Sequence, residues 1–574
     1  MNSICSILEE AATEVPDKPL FVFPENRWRS EEILTYGQLA SRSGAAAQAI
    51  SEHANPGQRA LVLFPTGAAF WESFMGCLAG GVIAVPLNIP NLNRGQDQWQ
   101  ELCNDCTPSV LITDEKTAEV LRRRADQHPN LSRLPVITPE HWRGQQCAST
   151  LEWPERDGIA FLQYTSGSTA SPKGVQVSHS NLLANLEMIR DRMGIRMVDE
   201  GTGVTWLPHY HDMGLVGSYL ETLFTKNTTL CLQPEEFVLR PGRWLQLISE
   251  YRTPIGGGPD FAYRLCVEKI KSDELDLIDL SSWRVAYIGA ERIRSETLSR
   301  FTEKFGRCGF RNSAFFPCYG LGEATLMATG GPKEATPVVR QVSSAALMAN
   351  RIEPSAVAAD STSLVGSGNT VEGSKVLIVE PETSLPLEDE QIGEVCLSGP
   401  SVTCGYFNRA SLNEQLFCEL MVDGICEKFL RTGDLGFLSG GELFITGRIK
   451  EIIIVRGRNL YPEDIEQRIC DAHQALSSDG VVAFSVDLDG QESLVIAAEL
   501  QRSAVRMESP ETVVNAVRQS VIETFGVNPT EILLLRPASI PRTSSGKPKR
   551  LAFRDSFIDG TLEYLVREKT GGDR

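Results

Sequence analysis

The sequence lacks the long hydrophobic runs that mark membrane proteins. One of the longest apolar runs, residues 77–87, contains two glycines and a proline and is shorter than the ~18–20 residues that span a bilayer. The first residues do not combine a basic region with an apolar stretch, so they do not resemble a signal peptide. We therefore expect no integral membrane segment and a cytoplasmic location.

Cysteine is too dilute for a disulfide scaffold, and positive charge is scarce. Fourteen cysteines among 574 residues fit free thiols in a reducing compartment. Cys103 and Cys106 form a C-x-x-C pair, but no second pair or nearby histidine completes a zinc set. Lys and Arg number 55 against 74 Asp and Glu, for a net charge of −19. No nucleic-acid partner is expected, because such a partner requires a basic face, and any cationic site must be local.

Short apolar segments alternate with helical patterns along most of the chain. Residues 60–64, 81–86, 110–113, 159–162, 285–288 and 376–379 are strand-like, and residues 70–78 have helical spacing between the first two. Strands of this short, doubly buried type favour parallel sheets covered by helices on both faces. We therefore predict an α/β fold. The length is enough for about three or four structural units.

A boundary is predicted near residue 448. Beyond it the pattern indicates a small α+β unit, with strands at 452–455, 481–486 and 493–500 and helices from 462 to about 475 and at 510–525. Residues 449–574 contain 16 basic and 19 acidic residues, so the preceding 448 carry −16 of the total charge. A basic cluster near the C-terminus is either a solvated face or a set of cations for an anion: Arg542, Lys547, Lys549, Arg550 and Arg554.

A hydroxyl-rich segment, residues 164–174 (YTSGSTASPKG), follows the strand-like residues 159–162. Backbone N–H groups, hydroxyls and a lysine at this spacing can surround phosphate oxygens. The segment is not a Walker A loop, because its glycines are misplaced for G-x-x-x-x-G-K-[ST]. An ordinary turn is the alternative for the segment taken alone. The candidate phosphate ligands are Thr165, Ser166, Gly167, Ser168, Thr169 and Lys173.

Four further segments follow in order: YGLGE (319–323), RTGDL (431–435), TGR (446–448) and PRTSSGK (541–547). With the hydroxyl-rich loop they resemble the core motifs of the adenylate-forming superfamily, which includes acyl-CoA synthetases, peptide-synthetase adenylation domains and luciferases. The segments WLPHYHDMG (206–214), GGPDFAYR (257–264), PCYGLGEAT (317–325) and RGRNLYPEDIE (456–466) narrow the resemblance to fatty acyl-AMP ligases. The resemblance covers essentially the whole chain.

The resemblance implies a binding site for ATP. Tyr319, with Gly320, matches the aromatic that stacks on adenine, with a core tyrosine as the alternative. Asp434 matches the carboxylate that binds both ribose hydroxyls, a task suited to an acceptor with two oxygens, although a turn aspartate is also possible. Residues Gly289, Ala290 and Glu291 fit the loop along the purine. Glu323 matches the Mg²⁺-associated glutamate, and Thr165 is a further candidate metal ligand.

The resemblance also implies the groups that promote the reaction. Lys547 matches the lysine that bridges the acyl carboxylate and the α-phosphate. The alternative for Lys547 is a lysine on a solvated basic tail. Arg448 resembles the arginine that contacts the nucleotide at the domain boundary. His211 resembles a residue beside the acyl-carboxylate entrance, and the pattern disfavours a metal role for it and His209. Met213 and residues 261–263 lie in segments that resemble acyl-pocket walls, with core packing equally open.

The implied organisation is a large N-terminal domain (1–447), a hinge (448–451, with Lys450) and a mobile C-terminal domain (452–574). An insertion at about 331–365, with a strand at 338–342 and a helix at 344–349, is thought in this family to restrain domain movement or access of coenzyme A. The implied function is ATP-dependent activation of a medium- or long-chain fatty acid and transfer of the acyl group to a separate acyl carrier protein.

Three other functions remain open from the residues: a fatty acyl-CoA synthetase, a luciferase-like monooxygenase and a catalytically silent binder. The acidic net charge implies that an acidic carrier protein docks on a local basic surface, for which the C-terminal cluster is a candidate. A monomer or weak dimer is expected.

Overall fold

The computed structural model describes residues 3–24, 31–89, 96–124, 129–144, 157–165, 172–196, 201–355, 357, 360–422, 424–455, 458–488, 491–506, 509–542 and 547–569. The predicted α/β class is confirmed: helices cover sheets that contain parallel strands. No helix within these ranges is long and apolar enough to cross a membrane. The cysteines that the structure describes are free thiols, and Cys103 and Cys106 are buried.

The first sheet has six strands and carries the two ends of the hydroxyl-rich loop. In spatial order the strands are Val136–Ile137, Val110–Thr113, Arg59–Leu63, Ile83–Leu87, Ile159–Thr165 and Lys173–Ser178. All neighbours are parallel except the last two strands, which form a hairpin. Thr165 and Lys173 are cross-strand partners in that hairpin, so the hairpin register fixes where the loop leaves and rejoins the sheet.

The second sheet has ten strands and unites the other predicted nucleotide-binding segments. Nine follow the order Ile255–Pro259, Val285–Gly289, Phe315–Gly320, Met327–Gly330, Asn369–Thr370, Glu442–Arg448, Ile425–Ser439, Gly393–Ser398 and Lys375–Val379, and Phe417–Val422 pairs with Ile425–Ser439. The first three are parallel. The remainder are antiparallel, so the expectation of parallel sheets holds for only part of this sheet.

A third sheet of four strands packs with the N-terminal helices, and its strands are Glu31–Thr35, Pro19–Pro24, Thr228–Cys231 and Thr202–Thr205. The main helices up to residue 416 are Ile4–Glu14, Tyr36–Ser51, Ala68–Ala79, Gln96–Cys106, Glu115–Arg123, His179–Met193, Pro234–Leu239, Gly242–Glu250, Asp260–Lys269, Ser295–Phe305, Ser344–Met348 and Ala410–Leu416. A short helix, Pro129–Ser132, precedes the strand Val136–Ile137 of the first sheet along the chain.

Residues 212–224 form a helical stretch that borders the candidate site. It comprises Asp212–Gly214, a π-helical turn Leu215–Leu220 and Glu221–Phe224. A π-helical turn inside a helix is often found at a functional site. The neighbouring helix His179–Met193 begins with Ser178, whose hydroxyl accepts a hydrogen bond from the Asn181 N–H at 3.1 Å. It ends at Gly194, whose φ of +60° suits glycine.

The residues from 453 to 569, here called the C-terminal unit, have their own sheet: Leu476–Leu488, Gln491–Leu500, Glu531–Leu535 and Val566–Lys569. A hairpin of Ile453–Val455 and Arg458–Leu460 precedes it. Its helices are Pro462–Cys470, Pro510–Phe525 and Arg550–Ile558. The predicted helix 510–525 matches to the residue, whereas the helix predicted to continue to about 475 ends at Cys470.

The predicted insertion contains ordered secondary structure. Val339–Ser343 and Ser361–Val365 form an antiparallel hairpin, and Ser344–Met348 is a helix between them, so the strand and helix predicted there are confirmed. Met348 belongs to the same buried apolar cluster as residues of the C-terminal unit, including Ile453 and Leu460. The insertion therefore packs directly against the C-terminal unit.

Candidate active site

One cavity of about 1400 Å³ lies where the first sheet, the second sheet and the C-terminal unit meet. Its cationic lining is Lys173, Arg431, Arg448, Lys450, Arg542, Lys547 and Lys549. Its acidic lining is Glu101, Asp212, Glu323, Glu394 and Glu451. Among the described residues that line the cavity, cations thus outnumber carboxylates, the reverse of the whole chain. The cavity is the local cationic site that the charge balance requires, and it can attract anionic substrates.

Asp434 is buried in this region and is held through both of its oxygens. The Tyr319 hydroxyl donates to Oδ2 at 2.7 Å, and Arg448 Nε donates to Oδ1 at 2.7 Å. Asp434 and Arg448 are also cross-strand partners in the second sheet. The charge of Asp434 raises the pKa of Arg448 above its ordinary value. A carboxylate has about four lone-pair sites, so Asp434 can accept further hydrogen bonds from a ribose.

Glu323 lies on a short 3₁₀ turn, Gly322–Ala324, directly after the strand that carries Tyr319 and Gly320. The Tyr406 hydroxyl donates a hydrogen bond to Glu323 Oε1. Lys173 Nζ lies 5.8 Å from the centre of the Tyr406 ring. Burial and the nearby Lys450 lower the pKa of Lys173. Glu323, Tyr406 and Lys173 are therefore one connected group on the cavity wall.

Tyr406 is a site residue that the sequence motifs do not identify. It lies 83 positions beyond Glu323, outside the recognised motifs, and meets Glu323 only through the fold. The Gly405–Tyr406 pair follows a turn, which by itself is an ordinary local pattern. The backbone of Tyr406 forms an isolated β-bridge with Val175, which lies in the same hairpin strand as Lys173.

His211 and Asp212 form a polar pair at the acyl side of the cavity. His211 Nδ1 lies 2.6 Å from Asp212 Oδ1, and the Met213 N–H also binds that oxygen at 2.7 Å. Burial opposes ionisation of Asp212, but His211 and the backbone contact together hold its pKa below the ordinary value. The positive charge of Lys547 also acts on Asp212. The structure thus brings His211 and Lys547 to one end of the cavity.

His209 has a different environment from His211. It is almost fully buried, and its Nδ1 lies 3.2 Å from the Thr66 hydroxyl. Its ring packs 4.1 Å from the ring of Phe70, measured between centroids. Burial lowers the pKa of His209 to about 3, so the imidazole is neutral. His209 therefore packs in the core behind the site.

Part of the cavity wall is apolar and is here called the apolar arm; its residues include Ile189, Met193, Met213, Cys318, Leu326 and Met327. Of the four residues considered as acyl-pocket walls, Met213 lies on this arm. Ala262 and Tyr263 are buried in the core, where the Tyr263 hydroxyl donates to the Tyr287 carbonyl at 2.9 Å. Phe261 packs edge-on against Trp206. The arm offers an alkyl chain the apolar burial that contributes about 0.8 kcal/mol per methylene.

The predicted purine loop is only partly directed at the cavity. Ala290 lines it and has a φ of +62°, an uncommon conformation for alanine. Gly289 is packed so closely that an added Cβ would lie 2.5 Å from the Cys318 carbonyl oxygen. Glu291 Oε1 instead accepts a hydrogen bond from the Phe261 N–H at 2.7 Å. Burial and the nearby Asp260 raise the pKa of Glu291 to about 7.

Most of the hydroxyl-rich loop lies outside the described residues. Ser166, Gly167, Ser168 and Thr169 lie outside the described residues, as does the side chain of Thr165. Lys173, at the end of the loop, lines the cavity. One member of the C-terminal basic cluster, Arg550, does not belong to an exposed face. Arg550 is buried and pairs with Glu466 at 2.9 Å and with Glu451, so it is part of a core ion network.

Comparisons with known proteins agree with this architecture. The profile described as AMP-binding enzyme matches residues 8–407, and the profile described as Disco-interacting protein 2-like, AMP domain, matches residues 450–566. The chain is 35% identical to the medium-chain-fatty-acid acyl-carrier-protein ligase JamA of Moorena producens (strain JHB), over 98% of this chain and 96% of that protein.

Two solved structures are similar over almost the full length. One comes from structural and functional studies of fatty acyl-adenylate ligases from E. coli and L. pneumophila, with a TM-score of 0.88, 32% identity and 98% of each chain covered. The other is a fatty acyl-adenylate ligase from L. pneumophila in complex with acyl adenylate and pyrophosphate, with a TM-score of 0.75, 33% identity, and 99% and 98% covered. The fold and site define an adenylate-forming enzyme, and the chain belongs to the AMP-binding enzyme family.

Proposed function

We propose that this protein is a fatty acyl-AMP ligase. It uses ATP to convert a fatty acid to a fatty acyl-adenylate with release of pyrophosphate, and passes the acyl group to the phosphopantetheine thiol of a separate acyl carrier protein. The observation that carries the proposal is a cavity in which an apolar arm joins a cation-rich chamber lined by Tyr319, whose hydroxyl donates a hydrogen bond to the buried Asp434. Such a cavity suits a substrate with an alkyl chain at one end and a nucleotide at the other.

The charged residues fit a reaction between two anions. The fatty carboxylate must approach the α-phosphorus of ATP, and both groups carry negative charge, so positioned cations lower the barrier. Lys547 is the cation at the junction, because its charge acts both on Asp212 at the acyl end and on Glu291 of the predicted purine loop. Arg448 and Lys173 stand on the nucleotide side. We assign His211, held by Asp212, to the entrance for the fatty carboxylate.

The residues around the cation-rich part of the cavity are assigned to binding of the nucleotide. Asp434 is proposed to bind the ribose hydroxyls, and the Tyr319 ring to stack on adenine with Gly320 and Ala290 alongside. Thr165 and residues 166–169 are proposed to bind the phosphates, with Lys173 as their cation. The hydroxyl-rich loop begins and ends at neighbouring strand positions, which is suited to a compact phosphate-binding turn. Glu291 would support this wall through Phe261 rather than by contact with the purine.

Mg²⁺ fits the residues present. Glu323 is a carboxylate on the cavity wall, oriented by Tyr406, and hard cations of this type prefer one or two carboxylates plus substrate phosphates. Thr165 is a second candidate ligand. When bound, the ion would neutralise phosphate charge. Tyr406 and Lys173 would keep Glu323 in place and add positive charge beside it.

We further propose a domain division at the hinge 448–451, with a body of 1–447 and a mobile lid of 452–574. Residues Ile449–Glu451 form a short 3₁₀ turn, and Lys450 is its central residue. A hinge needs only a few residues that absorb the backbone change. The insertion 331–365 touches the C-terminal unit through Met348. We infer that this contact limits lid rotation and disfavours coenzyme A as the acceptor.

The test of the function separates adenylation from transfer. The full chain is incubated with ATP, Mg²⁺ and straight-chain fatty acids, and pyrophosphate release and acyl-AMP are measured. A phosphopantetheine-bearing acyl carrier protein or coenzyme A is then added, and the acyl products are identified by mass spectrometry. We expect acyl-AMP and acyl carrier protein thioester. Abundant acyl-CoA would instead identify a fatty acyl-CoA synthetase, and the absence of acyl-AMP would refute the proposal.

A further inference from the structure

A second cavity, of about 60 Å³, lies beyond the apolar arm of the large one. Met193, Gly217 and Tyr287 line both cavities, so these three residues form the partition between them. Gly217 belongs to the π-helical turn Leu215–Leu220. A Cβ added at Gly217 would lie 2.7 Å from Cδ2 of Leu326, a residue of the apolar arm. Glycine at this position therefore lets the Leu326 side chain pack directly against the helix at the partition.

The walls of the small cavity are rich in hydroxyl groups, unlike the apolar arm in front of it. The Ser218 and Tyr287 hydroxyls share a hydrogen bond of 2.9 Å. The Thr222 and Thr229 hydroxyls share one of 2.7 Å. The Thr225 hydroxyl donates to the Glu221 carbonyl at 2.8 Å. These wall hydroxyls satisfy one another or the backbone, so they form a polar surface that is already organised.

Glu221 is the exception in this surface. It lies at the centre of a helical stripe, since Gly217, Ser218, Glu221, Thr222 and Thr225 line the cavity at the spacing of one helix face. The residue is 4% exposed. Neither of its carboxyl oxygens has a hydrogen-bond partner among the residues that the structure describes. An unpaired buried carboxyl is costly, and a wall for a plain alkyl chain would not require one.

The charge state of Glu221 also suits a neutral partner. Burial raises its pKa well above the ordinary value, and the nearby Arg190 only partly opposes this. Arg190 Nε binds Asp191 at 2.7 Å, and its guanidinium lies 5.4 Å from the centre of the Phe224 ring. Burial therefore favours the protonated form of Glu221, whose carboxyl group can both donate and accept a hydrogen bond. A hydroxyl group has the same two capacities.

We propose that the small cavity is the far end of the acyl site and that Glu221 determines specificity by hydrogen bonding to a hydroxyl on the acyl chain, at or near the end opposite the carboxylate. The preferred substrates are then ω-hydroxylated aliphatic acids of a length that spans the apolar arm. This inference rests on the proposed function, because it assigns the substrate class of the same site. Met193 and Tyr287 would guide the chain past Gly217 into the polar end.

The experiment uses the full-length protein and pairs of acids with six to fourteen carbons, each plain acid matched with its ω-hydroxy counterpart. Pyrophosphate release gives kcat/KM for every acid. At one or two chain lengths we expect the ω-hydroxy acid to exceed the plain acid by at least about tenfold, because a site built around a hydrogen bond discriminates strongly against a ligand without it. Equal values at all lengths would overturn the proposal.

Two variants distinguish a role in specificity from a role in folding. Glu221→Gln keeps a donor and an acceptor, so it should retain the ω-hydroxy preference within about threefold. Glu221→Leu has neither, so its ratio of kcat/KM for the ω-hydroxy acid to that for the plain acid should fall to about one or below. An unchanged ratio in Glu221→Leu would overturn the assignment. If no acid gives pyrophosphate in the wild type, the proposed function itself fails, a result distinct from adenylation without preference.

Discussion

Lys547 is the single residue on which the proposed adenylation depends most, because it brings a cation to the acyl end of the cavity. We expect Lys547→Ala to lower the rate of pyrophosphate release by about 10²–10³, the loss seen when a transition-state anion loses a donor. The melting temperature should stay within a few degrees of the wild type. Lys569→Ala is the matched control, since that lysine is exposed on the edge strand of the C-terminal sheet. Unchanged activity in Lys547→Ala would refute its assignment.

Glu291 gives a prediction for the pH dependence of stability. Its pKa is about 7 in the folded protein and about 4.5 when unfolded, so between these values the folded state binds more protons. The unfolding free energy contributed by Glu291 is therefore greatest at low pH and falls as the pH rises to about 7.

The check compares the melting temperatures of the wild type and Glu291→Gln from pH 5 to pH 8. Glutamine can still accept the hydrogen bond from Phe261, so the variant differs mainly in its lack of titration. The wild-type melting temperature minus that of the variant should decrease with pH. A difference that is constant or grows with pH would contradict the raised pKa.

At the scale of elements, the insertion contact can be tested with one side chain. Met348→Asp places a charge in the buried cluster that includes Ile453 and Leu460, which is unfavourable without a partner. We expect the insertion to detach from the first hairpin of the C-terminal unit. Acyl-CoA formation should then rise by about threefold or more relative to acyl-AMP formation, as measured by mass spectrometry. Met421→Asp is the control because Met421 is exposed. A loss of stability without added acyl-CoA would argue against the restraint.

The same scale shows what the sequence can predict. Helix Pro510–Phe525 was predictable at both ends, because Pro510 fits a first turn and Gly526 ends the helix with a φ of +66°. Helix Pro462–Cys470 was predicted too long, because buried Ala475 and Leu476 continue the apolar spacing but belong to the turn and strand that follow.

Contacts between segments that are distant in the sequence are the part of the site that is hardest to predict. The motifs identify Asp434, Tyr319 and Arg448 as site residues. Nothing in the sequence shows that Tyr319 and Arg448 each bind a different carboxylate oxygen of Asp434. Tyr406 and the polar cavity around Glu221 were missed for the same reason. Their environments arise from tertiary packing, whereas local patterns report only the spacing of polar and apolar residues.

At the scale of the whole molecule, ion pairs between described residues connect the body to the C-terminal unit. Arg292 Nη1 lies 2.5 Å from Asp464 Oδ1, and Arg264 binds Asp479 as well as Asp260. The Arg292 and Asp464 side chains are both mostly buried. Removal of one partner from such a pair is costly, because the other charge is left without compensation.

We expect Arg292→Met and Asp464→Asn each to reduce adenylation about three- to tenfold, and the double variant to lose little more than either alone. Rates of pyrophosphate release for the four proteins provide the cycle. Arg300→Met removes an exposed pair with Glu296 in helix Ser295–Phe305 and should have almost no effect. Fully additive losses would mean that the two side chains do not act together.

The Asp434–Arg448 pair has a consequence for thermodynamic linkage between the two halves of the protein. Arg448 is the first residue of the proposed hinge, and its partner is the proposed ribose ligand. A rotation that withdraws Arg448 releases one oxygen of Asp434, so the affinity for nucleotide must change with lid position. By reciprocity, nucleotide must then shift the lid equilibrium by the same factor. Asp434, the proposed ribose ligand, would thereby couple nucleotide binding to the conformation of the hinge.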